Sequence, residues 1–396
     1  MTSVKRILNR FTAYHWGLLL SGLSALLGVL REIILVSYLG FSQTNDHLQL
    51  YIAIIFATSL FNESLGLSCL ATTRFYSLRR VLEAFTPFFL LLSLGIAGIY
   101  FLIFEYYLPY WLLAVSIALA NMYIKMLTVF KQRYGSYVKS IAINILPNFL
   151  LVPTIILLSR FHISQPTPWI LMAYSSICLM QLMSLSRLKI HIEPFDTALE
   201  KPPNAFKYCL STVSKYLMLA PGQQLYALLV RYVCLDFGTG YLSIYSLAER
   251  CYLTTKFVVI DSYALYRLRK NTPLHFQDLW QKKALHGLLW LANFSIIILW
   301  LSLDFNKLNF LLFIVSLLLI NLYALLVQQT GLYELTNHKK NTLPKYMLCI
   351  DLSLILCSAF LYWQYQLSWL LFLSWYFVRT YLYIALIQAE LKAQAC

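Results

Sequence analysis

The sequence predicts an all-α, polytopic membrane protein with about twelve transmembrane helices in two six-helix lobes around a central cavity, and three observations predict it. Of the 396 residues, 60% are hydrophobic and only 12% are charged, with a mean hydropathy of +0.67. That composition is far more apolar than a soluble domain of this length. Apolar stretches of roughly 18 or more residues, enough to cross a bilayer, recur along the whole chain. Lys and Arg gather in alternate connections, as the positive-inside rule requires of cytoplasmic loops.

The first six spans read as 14–39, 47–70, 82–104, 108–130, 140–159 and 168–186, and the second six as 208–234, 241–264, 284–302, 308–329, 346–363 and 367–388. Lys5, Arg6 and Arg10 precede an apolar run too long for a signal-peptide core, with no small-residue cleavage site after it, so the first span reads as a retained helix. With the N-terminus inside, the cytoplasmic segments hold Arg74, Arg79 and Arg80, then Lys131, Arg133 and Lys139, then Arg187, Lys189, Lys201 and Lys207. Arg267, Arg269, Lys270, Lys282 and Lys283 follow, then Lys339, Lys340 and Lys345, and finally Lys392, whereas the outside loops offer Arg160 and Lys307. Both termini are therefore expected in the cytoplasm. The net charge of +15 is mostly topology, because no contiguous basic domain lies outside the membrane to grip nucleic acid.

The longest polar connector, 186–208, carries Pro194 and the pair Pro202–Pro203, which break any helix through it. It divides the chain into an N-terminal lobe (1–186), a cytoplasmic linker (187–207) and a C-terminal lobe (208–396). Each half opens with an Arg nine residues before a Gly, Arg31 before Gly40 and Arg231 before Gly240, a faint sign of the internal repeats common in transporters. Eight cysteines and seven histidines are scattered without metal-ligand or redox spacing. No nucleophile elbow, Walker loop or dinucleotide glycine pattern occurs. The sequence thus predicts neither an enzyme nor a cofactor.

Seven cations fall within spans: Arg31, Lys125, Lys215, Arg231, Arg250, Lys256 and Arg379. Lys125, Lys215, Lys256 and Arg379 lie nearer cytoplasmic helix ends, where long side chains snorkel to the headgroups. Arg31 is deeper. Counting back from Gly40 at 1.5 Å per residue puts it about 13 Å below the outer end of its helix, and Arg250 reaches about the same depth counted from Tyr241. An Arg at a helix centre costs about 2.5–3.5 kcal/mol on insertion scales, so intramembrane cations point to function. Each deep Arg has an acidic neighbour, Glu32 or Glu249. Adjacent helical residues do not face each other, so each carboxylate is expected to serve another helix. Asp46 opens the second helix, either as its cap or as a gate reaching a deep Arg. Glu63, further along, is a partner for a cation at its own level. A cavity lined by Arg suits a phosphate or diphosphate, whose oxygens match the planar guanidinium fork.

The stretch "GVLREIILVSYLGFSQTND", 28–46, resembles the first-hairpin signature of the MurJ (MviN) branch of the multidrug/oligosaccharidyl-lipid/polysaccharide exporter superfamily, with Gly28, Arg31, Glu32 and Asp46 in register and with Gly28 and Gly40 expected as its hairpin-turn glycines. "PGQQLYALLVRYVCLDFGTGYLSIYSLAER", 221–250, is similar to its helix 7–8 hairpin, closing on Tyr245, Ala248, Glu249 and Arg250. The resemblance implies a flippase, with Arg31 and Arg250 holding a diphosphate and Glu32, Asp46 and Glu249 as gating ion pairs. The implied partners are an undecaprenyl-diphosphate-linked glycan and membrane lipid, with glycan-assembly enzymes as further candidates, in the bacterial inner membrane. Departures accompany it: Ala25, Ser59 and Leu253 stand where the family carries an Arg, an Arg and an acid. Two further C-terminal helices of the family have no counterpart among the predicted spans. Arg231 is offered as a substitute from helix 7. These departures favour a surface-polysaccharide precursor as substrate, with lipid II as the alternative. A membrane-embedded polysaccharide polymerase or ligase is a second alternative, disfavoured by the short outside loops.

Overall fold

The computed structural model describes residues 13–57, 78–104, 106–134, 137–189, 220–256, 276–302, 306–336 and 343–395. The linker from residue 190 onward, Ser59, Glu63 and Lys215 lie outside them. Every regular element among the described residues is a helix. Among the described residues, nine stretches are long and apolar enough to cross a membrane, and the predicted spans at 47–70, 208–234 and 241–264 each run into residues outside the described set. The protein is therefore a multi-pass helical membrane protein. Its apolar surface fits that setting: Leu102 is 86% exposed and Leu291 65%, positions that only lipid would tolerate in number.

The chain separates into two compact units, Met1–Ala220 and Pro221–Cys396. In the first, α1 (Ala13–Leu39), α2 (Gln43–Ala57), α3 (Leu78–Ile103), α4 (Leu108–Tyr134), α5 (Tyr137–Arg160) and α6 (Pro166–Arg187) follow one another. α4 is the central element, packed on α2, α3, α5 and α6, while α1 lies along α5. Leu35, Leu48, Ile155 and Ile170 close the core where α1, α2, α5 and α6 meet.

α5 keeps its helical course through Pro147 and Pro153. A proline removes the N–H that would bond the carbonyl four residues back. For Pro147 that carbonyl is Ile143 O, and the buried Gln181 of α6 donates its Nε2 to it at 3.0 Å. Near the same end of the unit's helices, the buried Lys131 Nζ donates to Leu188 O, the carbonyl of the residue that caps α6. A cation there meets the negative end of the helix dipole.

The second unit holds α7 (Ala220–Asp236), α8 (Tyr241–Lys256), the short α9 (Phe276–Trp280), α10 (Lys283–Ser302), α11 (Lys307–Ile320), α12 (Leu322–Thr336), α13 (Leu343–Tyr365), α14 (Ser368–Leu373), a π turn (Ser374–Val378) and α15 (Arg379–Ala395). α11 and α12 divide one long span at Asn321, whose buried side chain exchanges amide hydrogen bonds of 2.9 and 3.2 Å with Asn293 of α10. Each amide also bonds a carbonyl one turn back in its own helix, Leu317 O or Leu289 O.

Arg379 corrects the expectation that it snorkels to a headgroup. It is 9% exposed, donates to Asp351 of α13 at 2.7 and 3.2 Å, and lies over the rings of Trp375 and Tyr383 at 4.3 and 4.4 Å. Tyr383 Oη completes the cluster, 2.6 Å from Asp351 and 3.1 Å from Arg379. The π turn widens the helix just before Arg379, and a fully buried carboxylate within reach outcompetes the distant headgroups. Gly222 of α7 allows this packing, since a Cβ there would come 2.5 Å from the Asp351 side chain. Asp351→Ala is expected to cost about 3–5 kcal/mol by leaving a buried guanidinium without its counter-charge. A lowered unfolding midpoint in detergent would register this, with partial recovery in the Asp351→Ala/Arg379→Met double variant.

Candidate functional site

The two predicted clusters lie in different units. In the first, Arg31 and Glu32 sit in the unbroken helix α1, 4% and 1% exposed. Arg31 Nη2 donates to Glu32 Oε1 at 2.6 Å, and Nη1 donates to Asn148 Oδ1 of α5 at 3.2 Å. The other carboxylate oxygen, Oε2, accepts from Gln49 Nε2 of α2 at 2.9 Å. The expectation that adjacent residues would not pair is thus corrected. The long Arg side chain curls back to its neighbour because, at this depth, no solvent competes for either charge. Glu32 does serve another helix as well, through Gln49. Asn148 is in turn held by Ser24 O at 2.9 Å, so α1, α2 and α5 share one polar network.

The hairpin residues take distinct roles. Gly40 ends α1 with φ +66°, and its carbonyl accepts Asn45 Nδ2 at 2.9 Å, which pins the turn. Ser42, not Asp46, caps α2: its Oγ accepts the Asn45 N–H. Asp46 is buried one residue further, in the first turn of α2, where the helix dipole favours a carboxylate. Gly28 is corrected from a turn position to the interior of α1, buried against α5, where an added Cβ would lie 3.6 Å from Asn148 Nδ2. The apolar wall beside Arg31, including Leu35, Ile155 and Tyr174, encloses a cavity of about 20 Å³. That is space for a water, not for a phosphate.

In the second unit, Arg231 is half-buried on α7 and bonds back along its own helix to Ala227 O at 2.8 Å. Gly240 adopts φ +91°, so the Arg–Gly spacing shared by the two units extends to a left-handed glycine at each turn. Glu249 and Arg250 are half-buried on α8. Glu249 Oε1 accepts from Tyr245 Oη at 3.4 Å, and Tyr245 Oη lies 2.6 Å from Tyr376 Oη of the π turn. Tyr226 of α7 stacks on Trp375 at 4.0 Å, and Tyr252 meets Tyr376 edge to face at 6.1 Å. Glu249 thus sits in a tyrosine cage that the sequence reading did not foresee. Its trace was present: residues 245, 249 and 252 share one face of α8 by the three-and-four spacing of a helix. The same applies to Asn45 and Gln49 on α2, four residues apart. Among the described residues, no group of three or more His, Cys, Asp or Glu gathers as metal ligands.

The fold and the two polar clusters together define a multi-pass helical membrane protein with ionisable groups held inside its helices. Its fold is similar to that of the solved "Lipid II flippase MurJ, inward closed conformation", at 16% identity over 94% of this chain and 87% of that chain, with a TM-score of 0.61. No protein-family model matches the chain, and no curated protein matches it in sequence.

Gly40→Ala is expected to cost about 1–2 kcal/mol, because an L side chain resists the left-handed backbone. Gly28→Ala should be neutral or stabilise by up to about 1 kcal/mol, since the helix gains propensity and the new methyl makes ordinary contact. Opposite shifts of the unfolding midpoint would separate the turn glycine from the helical one.

Proposed function

We propose that this protein is a flippase that moves an undecaprenyl-diphosphate-linked oligosaccharide, a surface-polysaccharide precursor, from the cytoplasmic to the periplasmic leaflet of the bacterial inner membrane by alternating access. The observation that carries this reading is the buried Arg31–Glu32 pair in the first helix of a chain that shares its fold with a lipid II flippase over 94% of its length.

A guanidinium this deep is tolerable only with a carboxylate or an incoming anion beside it. Glu32 supplies the carboxylate in the closed arrangement. A diphosphate presents the same paired oxygens, so it can take over the fork of Arg31 when the 20 Å³ space beside it opens. Arg250 is the corresponding guanidinium of the second unit, with Arg231 as its auxiliary on α7. Glu32, Asp46 and Glu249 then act as resetting anions that reclaim the cations once the substrate leaves. Translocation on this scheme forms and breaks no covalent bond.

Lipid II is the second reading, favoured by the substrate that the solved structure of similar fold is named for. The surface-glycan reading draws on Ala25, Ser59 and Leu253 in the sequence, which replace three charges of the family pattern.

The test is transbilayer movement of fluorescent undecaprenyl-diphosphate-linked oligosaccharide and of lipid II in vesicles holding the purified protein. Wild type is expected to move the oligosaccharide lipid, and Arg31→Lys and Arg250→Ala to slow it by about tenfold or more, Lys keeping the charge but losing the bidentate fork. Faster movement of lipid II would select the second reading. Full transport by both variants at normal membrane abundance would remove the diphosphate from these residues.

A further inference from the structure

A cavity of about 540 Å³ opens at the Gly40 end of the first unit, formed by the start of α2, the α3–α4 connection and the starts of α4 and α6. The charge pattern of the sequence assigns this end to the periplasmic side. Four tyrosines line it, Tyr51, Tyr106, Tyr107 and Tyr110, and among the described residues no Lys, Arg, Asp or Glu does.

Two of these rings build the wall. Tyr51 Oη accepts the Tyr107 N–H at 3.0 Å, and Tyr106 Oη donates to Leu50 O at 3.2 Å, so the α3–α4 connection is tied to α2. Tyr51 meets Tyr106 and Tyr110 edge to face at 5.1 and 5.9 Å, which fixes the ring planes. Tyr107 is exposed and Tyr110 half-buried beside it. Tyr107, in an edge-to-face pair with Tyr110 at 4.8 Å, keeps 61% of its surface exposed. Gln43, Thr44 and His47, all exposed on the first two turns of α2, add amide, hydroxyl and imidazole groups to the rim.

An interfacial tyrosine belt serves lipid headgroups from a convex surface, each ring facing outward. Here the rings converge on a concave site whose volume falls in the range of small-molecule pockets, about 300–1,000 Å³. An anion would find no cation among the described lining residues, and a hydrocarbon chain would leave the polar rim unmatched. A pyranose fits both features: its C–H face packs on the electron-rich face of an aromatic ring, and its hydroxyls engage short polar side chains.

We propose that this cavity is a saccharide site for a neutral sugar unit, a hexose or N-acetylhexosamine, stacked on Tyr107 and Tyr110. The inference rests on the reading of the protein as a carrier of lipid-linked glycan. On that reading, the diphosphate is held by arginine inside the helices, and the sugar is received by tyrosine on the side to which it is delivered.

The test needs neither lipid carrier nor translocation: saturation-transfer NMR on the full chain in lipid nanodiscs, with methyl glycosides of glucose, galactose and N-acetylglucosamine as probes. Wild type is expected to saturate the ring protons of at least one sugar. Tyr107→Ala and Tyr110→Ala should weaken that signal by about threefold or more, while Tyr107→Phe, which keeps the ring, retains it. No signal from wild type with any of the three sugars, or an undiminished signal in both alanine variants, overturns the site. Absence of signal in a protein that does translocate lipid-linked glycan strikes this inference alone. A tyrosine-dependent signal in a protein that translocates none upholds the site and strikes the transport reading.

Discussion

A polar group carried into hydrocarbon has no water to fall back on, so its partner must come from the chain itself. That requirement organises both units. Pro147 frees a carbonyl in α5, and Gln181 reaches across from α6 to occupy it. Asn321 interrupts a span, and Asn293 on the neighbouring helix answers with its own amide. Each repair ties two helices together, so the same hydrogen bond that satisfies a polar atom also fixes a packing contact.

Two buried arginine pairs among the described residues obey this rule in different ways. Arg379 finds its carboxylate on α13, with Trp375 and Tyr383 against the guanidinium, so separating the charges means separating α13 from α15. Arg31 finds its carboxylate one residue away. That pair travels with α1, and exchanging Glu32 for another anion requires a change of rotamer together with an opening of the contacts that Gln49 of α2 and Asn148 of α5 make to the pair. The contrast supports a structural role for the first pair and an exchangeable one for the second.

Much of the fold was legible because span length and cation placement are long-range, averaged signals that survive local ambiguity. Each of the twelve predicted spans has a described helix within it. Gly40 was legible too, since a glycine between two apolar runs has few other uses. What escaped depends on side-chain reach and depth. The Arg31–Glu32 pairing was masked by a rule for exposed helices, where water weakens close pairs between neighbours. Gly28 and Gly40 look alike in sequence, although one sits inside a helix and the other ends it. Asp351 and Arg379 stand 28 residues apart on separate spans, with no spacing to join them. Snorkelling was a sound prior for an Arg near a helix end, and only the packed partner overturns it.

Lys131 gives the first unit a mechanical property. By holding the carbonyl of Leu188, the residue that caps α6, it ties the end of α6 to α4. α4 is in contact with α2, α3, α5 and α6, so a load on the end of α6 is passed to the central helix of the unit. Fraying of the final turn of α6 then costs a bond to a second helix as well as the bonds of its own.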